Sequence, residues 1–424
     1  MSWRKNVGAL AMLFSAIIFM VTRPSLPTQP APHSPEYLAH LNKLRERTEK
    51  EVGQSVQSRS FLVIGGTGFT GGVLVDDLIA RKAKSIRVLS RRLPKGAAQK
   101  KGVEFLAGSM TDVATLKKAM ENVDVVFHTA AAYGTPPNGR FGPYENSAPK
   151  KVNVGGMAAI LEACKSSSSV KLLVFTSSMH TTFDPDKDQI GVKESAPYHW
   201  NAVDHYSRSK IEAEKLCLDA DSNTSNGLRT IALRPSGIYG PQENFFIPKI
   251  LDIFYKYGKV APTYFDKKER FEFTFVYNIA WAHALATAHL DRSETNAFGN
   301  AFFVTDQTIV NSAALEFARP MIEALGIKLV PLIWIPPSIL TSCSYWTEWL
   351  CYNLNKYLGL NVQPIMTESE AKTLLRSQTV DPTFARDVLG YSPLFDTGEG
   401  TAWTAEEFSR RYNRVAKNGI AAEL

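Results

Sequence analysis

Cysteine is scarce in this chain: Cys164, Cys217, Cys343 and Cys351 are the only four among 424 residues. They show neither Cys-x-x-Cys spacing nor the density of a disulfide scaffold, so reduced thiols are the default. The eight histidines include no His-Glu-x-x-His run, and no metal site is expected. His283 and His289, on one predicted helix, read as packing residues. The formal net charge is +7, yet neither an arginine-rich arm nor zinc-finger spacing accompanies it. That argues against a nucleic-acid partner and leaves a diffuse basic surface suited to anionic lipid. Internal repeats are missing too, and low complexity is confined to Ser166–Ser169. With ordinary apolar and charged fractions, the chain is long enough for one large or two smaller globular domains.

What is present begins with an apolar run from Val7 to Val21, preceded by Arg4 and Lys5 and closed by Arg23 and Pro24. As a helix it spans roughly 22 Å at ~1.5 Å per residue, short against a hydrocarbon core of ~30 Å. No small-x-small cleavage site follows, and Pro24, Pro27, Pro30, Pro32 and Pro35 form a stiff spacer. A retained single-pass anchor over residues 1–24 is therefore expected ahead of a cleaved signal, with an endoplasmic-reticulum membrane as its location. Residues 25–58 read as a proline-rich, charged linker. Arg4 and Lys5 on one flank oppose Arg23, Lys43, Arg45, Arg47 and Lys50 on the other, so the charge-bias rule nearly cancels. Asn223-Thr224-Ser225 is a glycosylation acceptor only if the domain is lumenal.

Past the linker, Phe61–Ile64 is a short β-leaning stretch that ends at Gly65-Gly-Thr-Gly68-Phe-Thr-Gly71-Gly72 and continues into helical periodicity over Val73–Ile79. Gly65, Gly68 and Gly71 stand three apart. That spacing allows a tight turn, close approach of backbone to a pyrophosphate, and close packing of helix on sheet. A phosphate would sit on the helix N-terminus, where unpaired N–H groups and the dipole favour an anion.

Strand-like stretches at Ile86–Ser90, Val103–Leu106, Asp124–Thr129, Val170–Thr176 and Leu228–Leu233 alternate with helical patterns near Thr111–Met120, Pro149–Lys165 and His205–Asp219. That alternation predicts an α/β protein with a doubly wound parallel sheet. After Gly240-Pro241 it breaks up, as expected if 59–240 binds a dinucleotide and 241–424 is a smaller substrate-binding region.

Tyr206-Ser-Arg-Ser-Lys210 places a tyrosine and a lysine one helical turn apart, able to supply the proton half of a hydride transfer. The same spacing recurs at Tyr255/Lys259, Tyr264/Lys268 and Tyr352/Lys356, so spacing alone does not choose among the four.

The assembled motifs do choose. Gly65-x-x-Gly68-x-x-Gly71, Val126-Phe-His-Thr-Ala-Ala131, Val152-Asn-Val-x-Gly156, Val174-Phe-Thr-Ser-Ser178, Tyr206-x-x-x-Lys210, Leu233-Arg-Pro-Ser-Gly-Ile-Tyr-Gly-Pro241 and Phe273-Thr-Phe-Val-Tyr-Asn278 occur in this order. The run from about Phe61 to about Tyr412 resembles the extended short-chain dehydrogenases with a Rossmann sheet, and within them the 3β-hydroxysteroid dehydrogenase/isomerase group. Phe271–Ala284 and Leu389-Gly-Tyr-Ser-Pro393 look more like the steroid and sterol branch than like sugar-nucleotide epimerases.

The resemblance implies oxidation of a steroid or sterol 3β-hydroxyl, a 4α-carboxysterol with ensuing decarboxylation among the candidates. The catalytic residues it implies are Ser178, Tyr206 and Lys210. A Lys210 ammonium one turn away, together with the nicotinamide's positive charge, would lower the Tyr206 phenol from its usual ~10, and Ser178 would orient the substrate oxygen. Asn153 would hold backbone geometry nearby. The resemblance further implies an NAD(P) site at Gly65, Gly68, Phe69, Gly71, Arg91, Arg92, Ser109, Met110, Thr129, Ala130, Tyr206 and Lys210, and homodimerisation.

Two departures stand out. An acidic residue usually ends the second strand to grip the adenosine ribose, whereas Leu89-Ser-Arg-Arg92 offers a serine and two arginines suited to a 2′-phosphate; NADP(H) is expected over NAD(H). Ser109 stands where an aspartate often meets adenine. Farther on, Leu329–Leu340 with Tyr345, Trp346, Trp349 and Leu350 is apolar and aromatic but interrupted by prolines. It reads as a buried part of the substrate region or an interfacial patch, not a spanning helix. A UDP-sugar epimerase, a ketone or aldehyde reductase, and a noncatalytic NADP-binding sensor or scaffold are the competing readings.

Overall fold

The chain's structure, a computed structural model, describes residues 46, 48–93, 100–133, 140–202, 204–221, 227–243, 247–248, 251, 260–263, 269–311, 317–331, 336–360, 362–364 and 366–417. The predicted anchor, the proline spacer, Asn223–Ser225, Tyr255/Lys259 and Tyr264/Lys268 lie outside the described residues. Among the described residues no helix is long and apolar enough to cross a membrane.

Strand and helix alternate as their periodicities dictate: β1 (Ser60–Ile64), α1 (Phe69–Ala80), β2 (Ser85–Ser90), β3 (Val103–Ala107), α2 (Val113–Ala119), β4 (Val125–His128), α3 (Gly155–Ser166), β5 (Leu172–Thr176), α4 (His205–Asp219) and β6 (Arg229–Pro235). After these come α5 (Val276–Ala288) and β7 (Asn300–Val304). The seven strands form one sheet in the order β7-β6-β5-β4-β1-β2-β3, with every pairing parallel. Because β7 comes from beyond residue 240, the sheet is not confined to 59–240. Its seventh strand is short and follows a helix with no amphipathic stripe, which hid the last βα unit from a periodicity reading.

Side chains alternate across the pleat, so each strand feeds two cores. Phe61, Val63, Val125, Phe127 and Val174 pack on one face with α1 and α5; Leu62, Ile64, Val126, Leu173 and Phe175 pack on the other with α2, α3 and α4. Every residue of α5 is buried, as for a helix that is apolar all round. Near-continuous apolar strands are what a sheet covered on both faces requires.

The direction of winding reverses between β1 and β4, and the crevice outside the carboxyl ends of the strands opens there. A smaller sheet of Val310–Asn311, Arg270–Phe271, Gln378–Val380 and Gln189–Val192 stands apart from the large one. The proline-rich stretch near 330 does not stay irregular. Lys328–Pro331 is a strand, and α6 (Pro337–Leu358) is a helix of 22 residues. Pro337 sits in its first turn, where a missing N–H costs nothing, so these prolines start a helix instead of breaking one. One side of α6 buries Ser344, Glu348 and Cys351, while Ile339, Trp346, Trp349, Leu350 and Tyr357 are exposed.

Candidate active site

The turn between β1 and α1 lies at the reversal point. Gly65 adopts φ +90°, and a Cβ there would lie 2.8 Å from the Ala130 nitrogen. At Gly71 a Cβ would sit 2.3 Å from the Gly65 carbonyl oxygen and 2.7 Å from Thr129 Oγ1. Only glycine therefore allows α1 to start this close to the β4 loop. Thr129 and Ala130 lock that loop to β1, both donating to the Ile64 carbonyl. Phe69 opens α1 and packs on its core. Gly68 caps α1 and makes no side-chain cap bond to its first turn, a cradle that fits the pyrophosphate of a dinucleotide.

At the end of β2, Ser90 Oγ lies 2.6 Å from Thr67 Oγ1, and Arg91 and Arg92 are exposed. Ser109 Oγ is engaged by Thr111 at 2.8 Å. The Met110 side chain is buried in the core against Gly156.

Helix α4 carries the tyrosine and lysine. Asp204 starts it by accepting from the Ser207 amide at 2.8 Å, which satisfies one of the orphan donors of the first turn. Lys210 is buried, and its Nζ donates to the Thr176 carbonyl oxygen at 2.8 Å. It also lies 4.6 Å from the Phe175 ring centroid, within cation–π range, and 5.8 Å from that of Tyr206.

Burial pushes Lys210 down to about 7, offset in part by Glu214. Burial, helped by the Asp204 carboxylate, pushes the Tyr206 phenol well above its ordinary range. Desolvation of the phenolate sets this direction; the nicotinamide's charge, the other part of the expected lowering, would act only in the loaded site. His128, stacked on Phe175, is driven down to about 3 by burial and by Lys210, and stays neutral.

Asn153 bridges the site. Its Oδ1 accepts from the Ala132 amide at 2.7 Å, and its Nδ2 donates to the Ala132 carbonyl at 3.0 Å and to Ser209 Oγ at 2.8 Å. Ser178 Oγ accepts from the His180 amide at 3.3 Å and caps the short turn Met179–Thr181, which packs against α4. Its neighbour Thr176 is engaged by His283, 3.0 Å away. His283 and His289 are buried and bonded to backbone carbonyls of Ile279 and Leu389. The remaining pair, Tyr352 and Lys356, lies on α6 with Lys356 exposed.

Sequence reasoning passed over three participants: Tyr133, stacked on Tyr206 with ring centroids 4.2 Å apart; Ser209, the partner of Asn153; and Asp204. Asp204 was findable, as an Asp-x-x-Ser start just ahead of the helix. Tyr133 carried no local signal, because its partner lies seventy-odd positions away in sequence.

A parallel doubly wound sheet with a glycine turn at its reversal point and a Tyr–Lys helix at the adjoining strand ends defines a short-chain dehydrogenase/reductase of the extended kind. The chain belongs to the 3-beta hydroxysteroid dehydrogenase/isomerase family, whose pattern matches residues 62–336. It is an NAD(P)-dependent oxidoreductase acting on CH–OH groups.

It is 34% identical to short-chain dehydrogenase/reductase family 42E member 1 of Danio rerio over 356 residues, 82% of this chain and 88% of that one. It is 31% identical over 348 residues, 80% and 95% of the two chains, to the sterol-4-alpha-carboxylate 3-dehydrogenase of Schizosaccharomyces pombe, which is named as decarboxylating. Among solved structures, an epimerase of Methanothermobacter thermautotrophicus superposes with a TM-score of 0.65 over 87% of this chain and 98% of its own. At 20% identity that likeness speaks for the fold alone.

Proposed function

We propose that this enzyme oxidises the 3β-hydroxyl of a steroid or sterol, with a 4α-carboxysterol as the favoured substrate and NADP⁺ as the favoured acceptor. The observation that carries the chemistry is the placement of Lys210, buried between Thr176 and Phe175 and one turn from Tyr206. The sterol part rests on the family and on the decarboxylating relative.

Gly65, Gly68, Phe69, Gly71, Thr129 and Ala130 would hold the dinucleotide, with Ser109 and the Met110 backbone at its adenine end. When bound, it accepts a hydride from the carbinol carbon. The C–H pair leaves as hydride, the O–H proton passes to Tyr206, and a ketone remains. Ser178 orients the substrate oxygen, and Lys210, in its protonated form, places positive charge one turn from the phenol. If a carboxylate stands on the adjacent carbon, the product is a β-keto acid. Its new carbonyl accepts the electrons left as carbon dioxide departs, so the protein's own task ends with the oxidation.

Ser90, unlike an aspartate, does not repel a 2′-phosphate, and Arg91 and Arg92 are free to approach one. Membrane association belongs to the same proposal, through an anchor over residues 1–24 at the endoplasmic reticulum. The exposed aromatic side of α6, with Trp346 60% accessible, supports it as an apolar surface on which a lipid substrate can arrive. Residues 241–424 would supply most of the substrate pocket.

The test is purified protein with NADP⁺ or NAD⁺ and a panel of 3β-hydroxysteroids with and without a 4α-carboxylate, followed by reduced cofactor and released carbon dioxide. Turnover of none of them, with oxidation of other alcohols intact, overturns the sterol assignment. Tyr206→Phe should abolish turnover, a loss of roughly 10²–10⁴-fold or more, while cofactor binding persists. An active Tyr206→Phe overturns the catalytic assignment.

A further inference from the structure

Tyr133 lies five residues past the end of β4, in the loop that crosses the carboxyl edge of the sheet. Its ring stacks on Tyr206 with centroids 4.2 Å apart and planes inclined by 30°. Chance does not set this geometry. The backbone of the preceding residue, Ala132, is held at both its N–H and its C=O by the Asn153 side chain, and the same amide donates to Ser209 on α4. Asn153 is buried, so the loop that presents Tyr133 and the helix that presents Tyr206 are joined through one rigid, fully engaged side chain. With the backbone fixed one residue upstream, the Tyr133 ring is delivered onto the catalytic tyrosine.

The exposure of Tyr133 is unusual for a residue so placed. One face covers Tyr206, yet 47% of the residue is accessible, leaving a large aromatic surface beside the phenol that must meet the substrate hydroxyl. Aromatic rings at such positions supply flat, rigid contact area at low entropic cost, and burial in the cleft pushes the Tyr133 phenol up, so it stays neutral.

We propose that Tyr133 is a specificity-determining residue: its ring is the wall against which an alicyclic skeleton lies while Tyr206 takes the carbinol proton. This deepens the sterol reading and rests on it for the identity of the ring, but not for the role of the wall. Tyr133 selects for a rigid ring system at the carbinol. An open-chain alcohol, which cannot lay a flat face on it, gains little.

The experiment compares wild type, Tyr133→Ala and Tyr133→Phe on a 3β-hydroxysteroid, a bicyclic secondary alcohol and 2-butanol, with kcat and KM measured separately across pH. Tyr133→Ala should raise KM for the cyclic alcohols about tenfold, while any change in kcat is common to cyclic and open-chain alcohols. KM for 2-butanol should stay put, and Tyr133→Phe should restore the wild-type KM. A rise in KM of the same size for cyclic and open-chain alcohols would show that Tyr133 merely holds Tyr206 and would overturn the proposal. Altered cofactor affinity in Tyr133→Ala, read by fluorescence titration without substrate, overturns it by assigning the ring to the cofactor cleft, and an unchanged KM for cyclic alcohols overturns it outright. If wild type oxidises the bicyclic alcohol but no steroid, the sterol reading fails while the bicyclic and open-chain comparison still decides the role of Tyr133.

Discussion

Lys210 donates to the carbonyl oxygen of Thr176 at 2.8 Å, tying the middle of α4 to the last residue of β5. The bond anchors the ammonium but does not compensate fully for its burial, which lowers Lys210 from 10.5 to about 7. Between those values the unfolded chain binds a proton that the folded chain does not. Stability therefore rises as pH rises through this window, by up to about 1.4 kcal/mol per pH unit, and the full deficit is present below about pH 7. Lys210→Met removes the effect. The cofactor-free variant should melt higher than wild type at neutral pH and converge with it toward pH 10.5, while turnover is lost. Parallel melting curves for the two proteins across that range would refute this.

Arg234 and Glu214 form a fully buried pair one turn beyond Lys210, with Arg234 Nη2 2.6 Å from Glu214 Oε1 and its Nε 3.1 Å from both carboxylate oxygens. Removing one partner strands a charge in the core. Arg234→Met or Glu214→Leu alone should cost about 3–5 kcal/mol, and the double variant should be more stable than either single one. Urea denaturation of the three proteins measures this, and a double variant as weak as the sum of the singles contradicts it.

Asn153→Ala leaves the Ala132 N–H and C=O without their partner and unlinks the β4 loop from α4. A loss of about 3 kcal/mol is expected from two stranded backbone groups at ~1–3 kcal/mol each, less what water recovers. Chemical denaturation gives the number. Fluorescence of the cofactor complex should show binding retained, because the glycine turn is untouched.

Arg91 and Arg92 stand exposed where β2 ends. Replacing both with alanine should raise KM for NADP⁺ by roughly 10–100-fold, as expected for losing charge-assisted bonds to a phosphate, with KM for NAD⁺ nearly unchanged. Equal sensitivity to both cofactors, or equal use of both by wild type, would remove the NADP preference.

Much of the sheet was legible in the chain because local pattern dictates it. The apolar run Phe61–Ile64, the glycines that follow and the alternation up to Leu233 each express a short-range constraint, and α4 begins and ends at His205 and Asp219 as its periodicity predicts. The helix at Pro337–Leu358 was not legible as one, since a proline in a first turn and a proline in a helix interior read alike until the hydrogen-bond register is known. The contribution of β7 was hidden as well, because membership of a parallel sheet is decided by a crossover and not by the strand's own residues.

For the site, the chain alone determined which chemistry is available: a glycine turn for a pyrophosphate, and a tyrosine and lysine on one helical face. Those are properties of spacing, and spacing survives without a fold. Only the tertiary structure decided that Lys210 bonds to Thr176, that the Tyr206 phenol is buried, that Met110 turns into the core, and that Tyr133 reaches the catalytic phenol. Solvation and long-range contact set those outcomes, and neither is written in the residues adjacent to them.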